Sequence, residues 1–94
     1  MKKRNRELHN QINTIFTSKR TELEKIAAAF HAITQDQISH SNREQELLLA
    51  MGDKNGLVKE QIKMSTLEYA VSIFDECYQR ATGKSYPAKE QDNE

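Results

Sequence analysis

The sequence contains few of the residues that interrupt helices, with three glycines and one proline among 94 residues. Glycine and proline are the strongest local breakers of regular structure, so their scarcity favours long helices. The chain also has a single cysteine, which excludes an intrachain disulfide and indicates a reducing, cytoplasmic setting. It shows no signal peptide and no apolar run long enough to cross a bilayer, so we expect no membrane partner.

The sequence also contains no recognisable catalytic or metal-binding motif. The three histidines and Cys77 have spacings that match no zinc motif, and periodicity places Cys77 on an apolar helix face, where a thiol is usually a buried structural residue. Adjacent acidic residues on a helix point about 100° apart, so the acidic pairs of this chain do not converge on one site. The sequence therefore predicts no enzyme, no metal and no cofactor.

The apolar fraction is low for a chain of this length. Hydrophobic residues make up 36% and charged residues 30%, which predicts a thin core. Helical chains with thin cores often gain stability by burying apolar surface against a second copy. We therefore expect one helical domain over residues 1–84, a flexible polar tail over residues 85–94, and a homodimer.

Charge is distributed unevenly along the chain. Residues 1–34 hold seven Lys and Arg against three Glu, whereas residues 35–94 hold seven against eleven Asp and Glu. Cations at a helix N-terminus oppose the macrodipole, so helix energetics do not explain the basic start. A basic arm that binds nucleic acid is therefore an alternative function, and its residues are Lys2, Lys3, Arg4, Arg6, Lys19 and Arg20.

The first third of the chain predicts one long helix. Phe16, Leu23 and Phe30 repeat every seven residues, and Ile12, Lys19, Ile26 and Ile33 form a companion seam, a spacing typical of coiled-coil packing. A capping box at Thr21 and Glu24 indicates a break at this point. The residues that would form a hydrophobic staple around it are charged, however, so the pattern favours a continuous helix.

The middle of the chain predicts a loop and then a short helix. Residues 34–42 are polar and non-periodic, and a capping box at Ser41 and Glu44 predicts a helix start. Gly52 is placed to end that helix. Residues 53–56 contain an Asn-Gly pair and are typical of a tight turn.

The last helical segment carries two apolar faces. A capping box at Ser65 and Glu68, with Met64 and Tyr69 placed as its hydrophobic staple, predicts a break or kink near Ser65. Gly83 is placed to end the segment. The predicted core face consists of Leu67, Ala70, Val71, Phe74, Cys77, Tyr78 and Ala81. A second stripe, Val58, Ile62, Tyr69 and Ile73, is continuous only if no break occurs.

Together these patterns predict an all-α bundle of three to four helices, with a long N-terminal helix and coiled-coil-like packing. The predicted function is a non-enzymatic protein–protein interaction module, a small regulator, inhibitor or adaptor that docks helical surface on another protein as a homodimer. Aromatic and aliphatic anchors dominate contact energies. We therefore expect the second stripe to supply the interface anchors and the basic arm to steer association.

Overall fold

The computed structural model of the protein describes the backbone of residues 2–86 and the side chains of residues 6–86, and it consists of three helices. These are α1 (Lys2–Phe16), α2 (Glu22–Met51) and α3 (Lys54–Thr82). The all-α class and the three-helix bundle are thereby confirmed. None of the helices within residues 2–86 combines the length and apolar character that crossing a membrane requires.

The predicted long N-terminal helix is wrong, because the chain breaks after Phe16. Thr17 and Ser18 turn their hydroxyls back onto the last carbonyls of α1, at 2.9 Å to Asn13 O and 2.6 Å to Ile15 O. The capping box at Thr21 then starts α2: Glu24 N donates to Thr21 Oγ1 at 3.2 Å, and Thr21 N donates to Glu24 Oε1 at 3.0 Å. The sequence predicted a continuous helix because no hydrophobic staple surrounds Thr21. The capping box nevertheless forms without a staple.

The predicted loop over residues 34–42 and the helix start at Ser41 are also wrong, because α2 runs unbroken to Met51. Ser41 lies in the middle of α2 and is completely buried, and its hydroxyl donates to the Glu60 carbonyl of α3 at 3.4 Å. The Thr34 hydroxyl donates to the Phe30 carbonyl of its own helix at 2.8 Å. These small polar residues let α3 approach closely, which hydrophobic periodicity does not reveal.

The connection between α2 and α3 uses a glycine cap and an aspartate cap. Gly52 has φ 75° and ends α2 in the left-handed conformation, as predicted. The predicted tight turn over residues 53–56 is wrong, because Asp53 is the N-cap of α3 and its carboxylate accepts from Gly56 N at 2.9 Å. A Cβ on Gly56 would lie 2.7 Å from Oδ2 of Asp53 and 3.0 Å from a Leu48 methyl carbon. This glycine therefore permits close packing at the hairpin.

The third helix shows no break near Ser65, so that prediction is wrong as well. Residues Lys54–Thr82 form one α-helix of 29 residues. Gly83, with φ 76°, ends it as predicted. An unbroken helix keeps a single rotational phase of about 100° per residue along its length. Residues before and after Ser65 therefore share continuous faces.

The second helix is the central element of the bundle. On one side, Ile15 of α1 packs against Ala28 and Ala29. On the other side α3 runs antiparallel to it: Nε2 of His31 lies 2.7 Å from Oδ1 of Asp75 near one end of the hairpin, and Ser41 meets Glu60 nearer the other. The first and last helices thus each pack on α2 as their main neighbour.

The core of one copy is small. Among the described residues, the buried hydrophobic side chains are Ile15, Ala27, Ala28, Ala29 and Tyr78. Residues of the predicted heptad seam are substantially exposed, with Phe16 at 46%, Ile26 at 54% and Ile33 at 40%. Phe16 and Leu23 also lie on different sides of the break. The seam is therefore not a buried coiled-coil contact within one copy.

A candidate interaction surface on the third helix

The four residues of the second stripe form one exposed apolar surface on α3. The exposed fractions are 52% for Val58, 60% for Ile62, 69% for Tyr69 and 48% for Ile73. At about 100° per residue, the four positions fall within an arc of about 60° of the helix. The continuity of α3 thus brings them together as one surface, which we call the outer stripe.

The outer stripe lies on the side of α3 that faces away from α2. The side that contacts α2, which we call the inner face, includes Met64 and Phe74. Phe74 stacks on Phe30 with ring centroids 4.4 Å apart, and Sδ of Met64 accepts from Gln45 Nε2 at 3.2 Å. The inner face and the outer stripe are centred nearly half a turn apart by helical phase. α3 therefore presents apolar side chains on two opposite sides.

Cys77 was predicted to be buried on the core face, and the structure shows that it is exposed. Ala81, assigned to the same face, is exposed too. The surface that contacts α2 is rotated toward Met64, Asp75 and Thr82 relative to the predicted face. Cys77 and Ala81 consequently lie at its edge, where α2 does not cover them.

The predicted basic arm is spread over both ends of α1. Lys2, Lys3 and Arg4 lie in the first turns of the helix, and their side chains are outside the described residues. Arg6 is exposed in the first half of α1, whereas Lys19 and Arg20 are exposed in the connection after its last residue. Ten helical residues separate Arg6 from Phe16, a rise of about 15 Å. Binding of nucleic acid by this arm stays a prediction.

A cluster of polar and aromatic groups joins α2, α3 and the residues that follow α3. The His31 ring, which is bonded to Asp75, stacks on the Tyr86 ring with centroids 4.1 Å apart. Tyr78 meets Tyr86 edge to face at 5.6 Å. Tyr86 belongs to the segment predicted as a flexible tail, and residues 87–94 of that segment lie outside the described part of the chain.

Burial raises the pKa of the Tyr86 hydroxyl above its ordinary value, while Arg20 lowers it and Tyr78 and Asp75 raise it. The hydroxyl therefore stays protonated and neutral at the end of the bundle. Sequence reasoning missed this cluster. His31 and Asp75 are 44 positions apart, and only the register of the α2–α3 hairpin brings them into contact.

Other exposed apolar side chains lie on α2. Ile26, Ile33, Leu47 and Met51 are exposed by 54%, 40%, 57% and 68%. Leu47 and Met51 belong to the predicted short helix, and sequence reasoning did not identify them as surface residues, because their exposure depends on which side of α2 is covered by α3.

Within residues 2–86, no three or more His, Cys, Asp or Glu side chains gather in a group able to hold a metal ion. His31 and Asp75 line an open depression together with Ser72, Glu76 and Tyr86, and their short contact joins the two helices.

Comparison of the chain with protein families, with curated proteins and with solved structures finds no match in any of the three.

Proposed function

We propose that the protein is a non-enzymatic protein–protein interaction module that acts as a homodimer and docks helical surface on another protein. Such a module is a small regulator, inhibitor or adaptor whose effect is steric. The outer stripe supplies its anchors, Val58, Ile62, Tyr69 and Ile73. The observation that carries the proposal is the exposure of all four residues on one side of an unbroken helix.

The distribution of burial supports this proposal. The buried hydrophobic residues of one copy are three alanines, one isoleucine and one tyrosine, whereas eleven large hydrophobic side chains of the described residues are exposed. Transfer of apolar surface out of water is favourable in proportion to its area. Many of the large apolar side chains remain in water in one copy. Association with a partner would therefore bury apolar surface that the fold of one copy leaves exposed.

Tyr69 and Ile73 suit the role of anchors for two further reasons. An exposed tyrosine offers a large apolar ring at a low cost in conformational entropy, and a β-branched isoleucine has few rotamers to lose. Tyr69 is 69% exposed and Ile73 is 48% exposed in one copy, so both are accessible to a partner. Docking on this surface therefore needs no rearrangement of the bundle.

The test compares the wild-type chain with the double variant Tyr69→Ala/Ile73→Ala. We expect the wild type to be dimeric in size-exclusion chromatography with light scattering, and to retain a specific protein from a lysate of the source cells, identified by mass spectrometry. The double variant should be monomeric and should no longer retain the protein. A wild-type monomer, together with capture that the double variant leaves unchanged, would falsify the proposal.

A matched control is available on the same helix. Gln61→Ala/Glu68→Ala removes two exposed side chains that lie beside the outer stripe without belonging to it. Each exposed surface substitution of this kind changes stability by no more than about 0.5 kcal/mol. The control variant should behave as the wild type does in both measurements.

A further inference from the structure

The outer stripe has a spacing that reads the same from either end. Val58 and Ile62 are separated by four positions, Ile62 and Tyr69 by seven, and Tyr69 and Ile73 by four. The midpoint falls between Ser65 and Thr66. A stripe with this symmetry is complementary to itself when one copy is reversed, and a foreign surface would not require such symmetry.

We propose that the outer stripe is occupied by a second copy of this chain, packed antiparallel on α3 about a two-fold axis that passes between Ser65 and Thr66. This inference rests on the proposed function and names the partner at the anchors. An isologous interface pairs each residue with its symmetry mate. Val58 of one copy then faces Ile73 of the other, and Ile62 faces Tyr69.

The residues at the midpoint allow the two helices to approach closely. Ser65 and Thr66 have small side chains and are both exposed in one copy, and the distance between packed helices depends on the side chains at the contact. The Thr66 hydroxyl already donates to the Ile62 carbonyl of its own helix at 2.9 Å. Burial at the interface therefore leaves this hydroxyl with a hydrogen-bond partner.

Charge selects the antiparallel arrangement over the parallel one. Lys54 and Glu76 flank the outer stripe at its two ends and lie on the same side of it by helical phase. An antiparallel pair places Lys54 of each copy near Glu76 of the other, which is favourable. A parallel pair would leave these opposite charges about 33 Å apart along the helix axis. Arg80, 2.8 Å from Glu76 within one copy, leaves that carboxylate accessible at 61%.

The resulting assembly is a layer in the order α2, α3, α3 and α2, with both copies of α3 in the centre. Each α3 then buries apolar side chains on both sides, and the two central helices pack in a coiled-coil-like manner. The exposed apolar residues of α2 lie outside this contact. They remain available for the other protein that the proposed function requires, and capture of that protein then depends on Tyr69 and Ile73 through the dimer.

Disulfide trapping tests the register directly, with Cys77→Ser as the background so that each variant carries one cysteine. We expect Thr66→Cys to cross-link with itself under mild oxidation, because the two copies of residue 66 meet at the axis. Val58→Cys alone should not cross-link, because its two copies lie about 22 Å apart along the helix at 1.5 Å per residue. A mixture of Val58→Cys and Ile73→Cys chains should cross-link.

Two results would overturn the inference: self-cross-linking of Val58→Cys, which requires a parallel pair, and a wild-type chain that stays monomeric in sedimentation equilibrium at tens of micromolar. A charge exchange adds an independent measurement. Lys54→Glu should weaken dimerisation several-fold, and Lys54→Glu/Glu76→Lys should restore it. Absence of restoration also counts against the antiparallel register.

The antiparallel dimer and the docking of another protein can fail independently of each other. If the chain is monomeric and capture of another protein still depends on Tyr69 and Ile73, the docking role of the outer stripe stands without the homodimer, and this inference fails. If the antiparallel cross-links form and capture is unaffected by dimer loss, this inference stands and the outer stripe is not the docking surface for another protein.

Discussion

Two segments of the chain carry the same helix-start signal and behave in opposite ways. Thr21 and Glu24 form a capping box that ends one helical run and opens α2. Ser65 and Glu68 have the same spacing, together with an apolar staple that the first segment lacks, and they lie inside the continuous helix α3. The stronger signal in the sequence is the one that the fold does not use.

The difference teaches that packing decides whether a capping signal is used. At Thr21 a reversal of the chain lets Ile15 pack on Ala28 and Ala29, so the break adds buried surface. At Ser65 a reversal would remove either Met64 or Phe74 from α2. An N-cap contributes about 1 kcal/mol, which is less than the loss of several apolar contacts.

The largest expected effect comes from forcing the break that α3 avoids. Thr66→Pro removes the hydrogen bond from residue 66 to the Ile62 carbonyl and places the ring against that turn, at a cost of about 3 kcal/mol. A proline in the first helical position after Ser65 is compatible with a helix start there. We expect a lower denaturation midpoint and the loss of the dimer.

The control for this variant is Thr66→Ala, which removes the hydroxyl and keeps the helix. Urea denaturation followed by circular dichroism measures both. A midpoint of the proline variant equal to that of the alanine variant would show that α3 is already broken at Ser65 in solution.

A second experiment separates the two sides of the continuous helix with adjacent residues. Phe74 belongs to the inner face and stacks on Phe30, whereas Ile73 belongs to the outer stripe. We expect Phe74→Ala to cost about 2 kcal/mol, less than for a fully buried phenylalanine because Phe74 is only half-buried. Ile73→Ala should cost less than about 0.5 kcal/mol in the monomer.

Thermal unfolding at a concentration too low for association measures these two values. Light scattering at high concentration measures the dissociation constant of the dimer. We expect Ile73→Ala to weaken the dimer more than Phe74→Ala does. Equal losses of monomer stability for the two variants would contradict the assignment of residues 73 and 74 to different sides.

A third experiment compares the two capping boxes themselves. Thr21→Ala removes a side chain that caps α2 and should cost about 1 kcal/mol. Ser65→Ala should cost nothing, or stabilise slightly, because alanine has the higher propensity inside a helix. Chemical denaturation of the two variants under identical conditions decides the comparison, and a larger loss for Ser65→Ala would reverse it.

An effect smaller than that of Thr21→Ala is expected at the third capping box, Ser41 and Glu44, which α2 also leaves unused. Ser41→Ala removes one long hydrogen bond to the Glu60 carbonyl, and that carbonyl belongs to a continuous helix. We expect a change of about 0.5 kcal/mol, at the low end for a hydrogen bond, with unchanged helicity. A marked loss of helicity in circular dichroism would mean that Ser41 does cap a helix.

Local signals predicted the ends of helices where a special backbone conformation is required. Gly52 and Gly83 both adopt positive φ and end α2 and α3, because only glycine reaches that conformation without strain. Local signals failed over residues 34–42. There, Thr34 and Ser41 are buried because their small size suits a close helix contact, and a polar side chain in such a place leaves no apolar period.

The sequence predicted which residues belong to the outer stripe, but it did not predict whether the stripe is continuous. Val58, Ile62, Tyr69 and Ile73 could be selected by helical phase alone, but whether they form one stripe depended on the backbone at Ser65. The contact of His31 with Asp75 and Tyr86 was not predictable, because the register between two helices is set by the sum of many side-chain contacts along their length.

The sequence by itself determined that this chain is helical, where α2 and α3 end, and which residues of α3 can share an outer stripe. These properties follow from backbone preferences and from a period of about 3.6 residues, which are local. Only the tertiary structure decided that the chain breaks at Thr21 and not at Ser65, and that Cys77 is exposed. Those outcomes depend on how much apolar surface α2 can cover on each side, which is a property of the packed bundle.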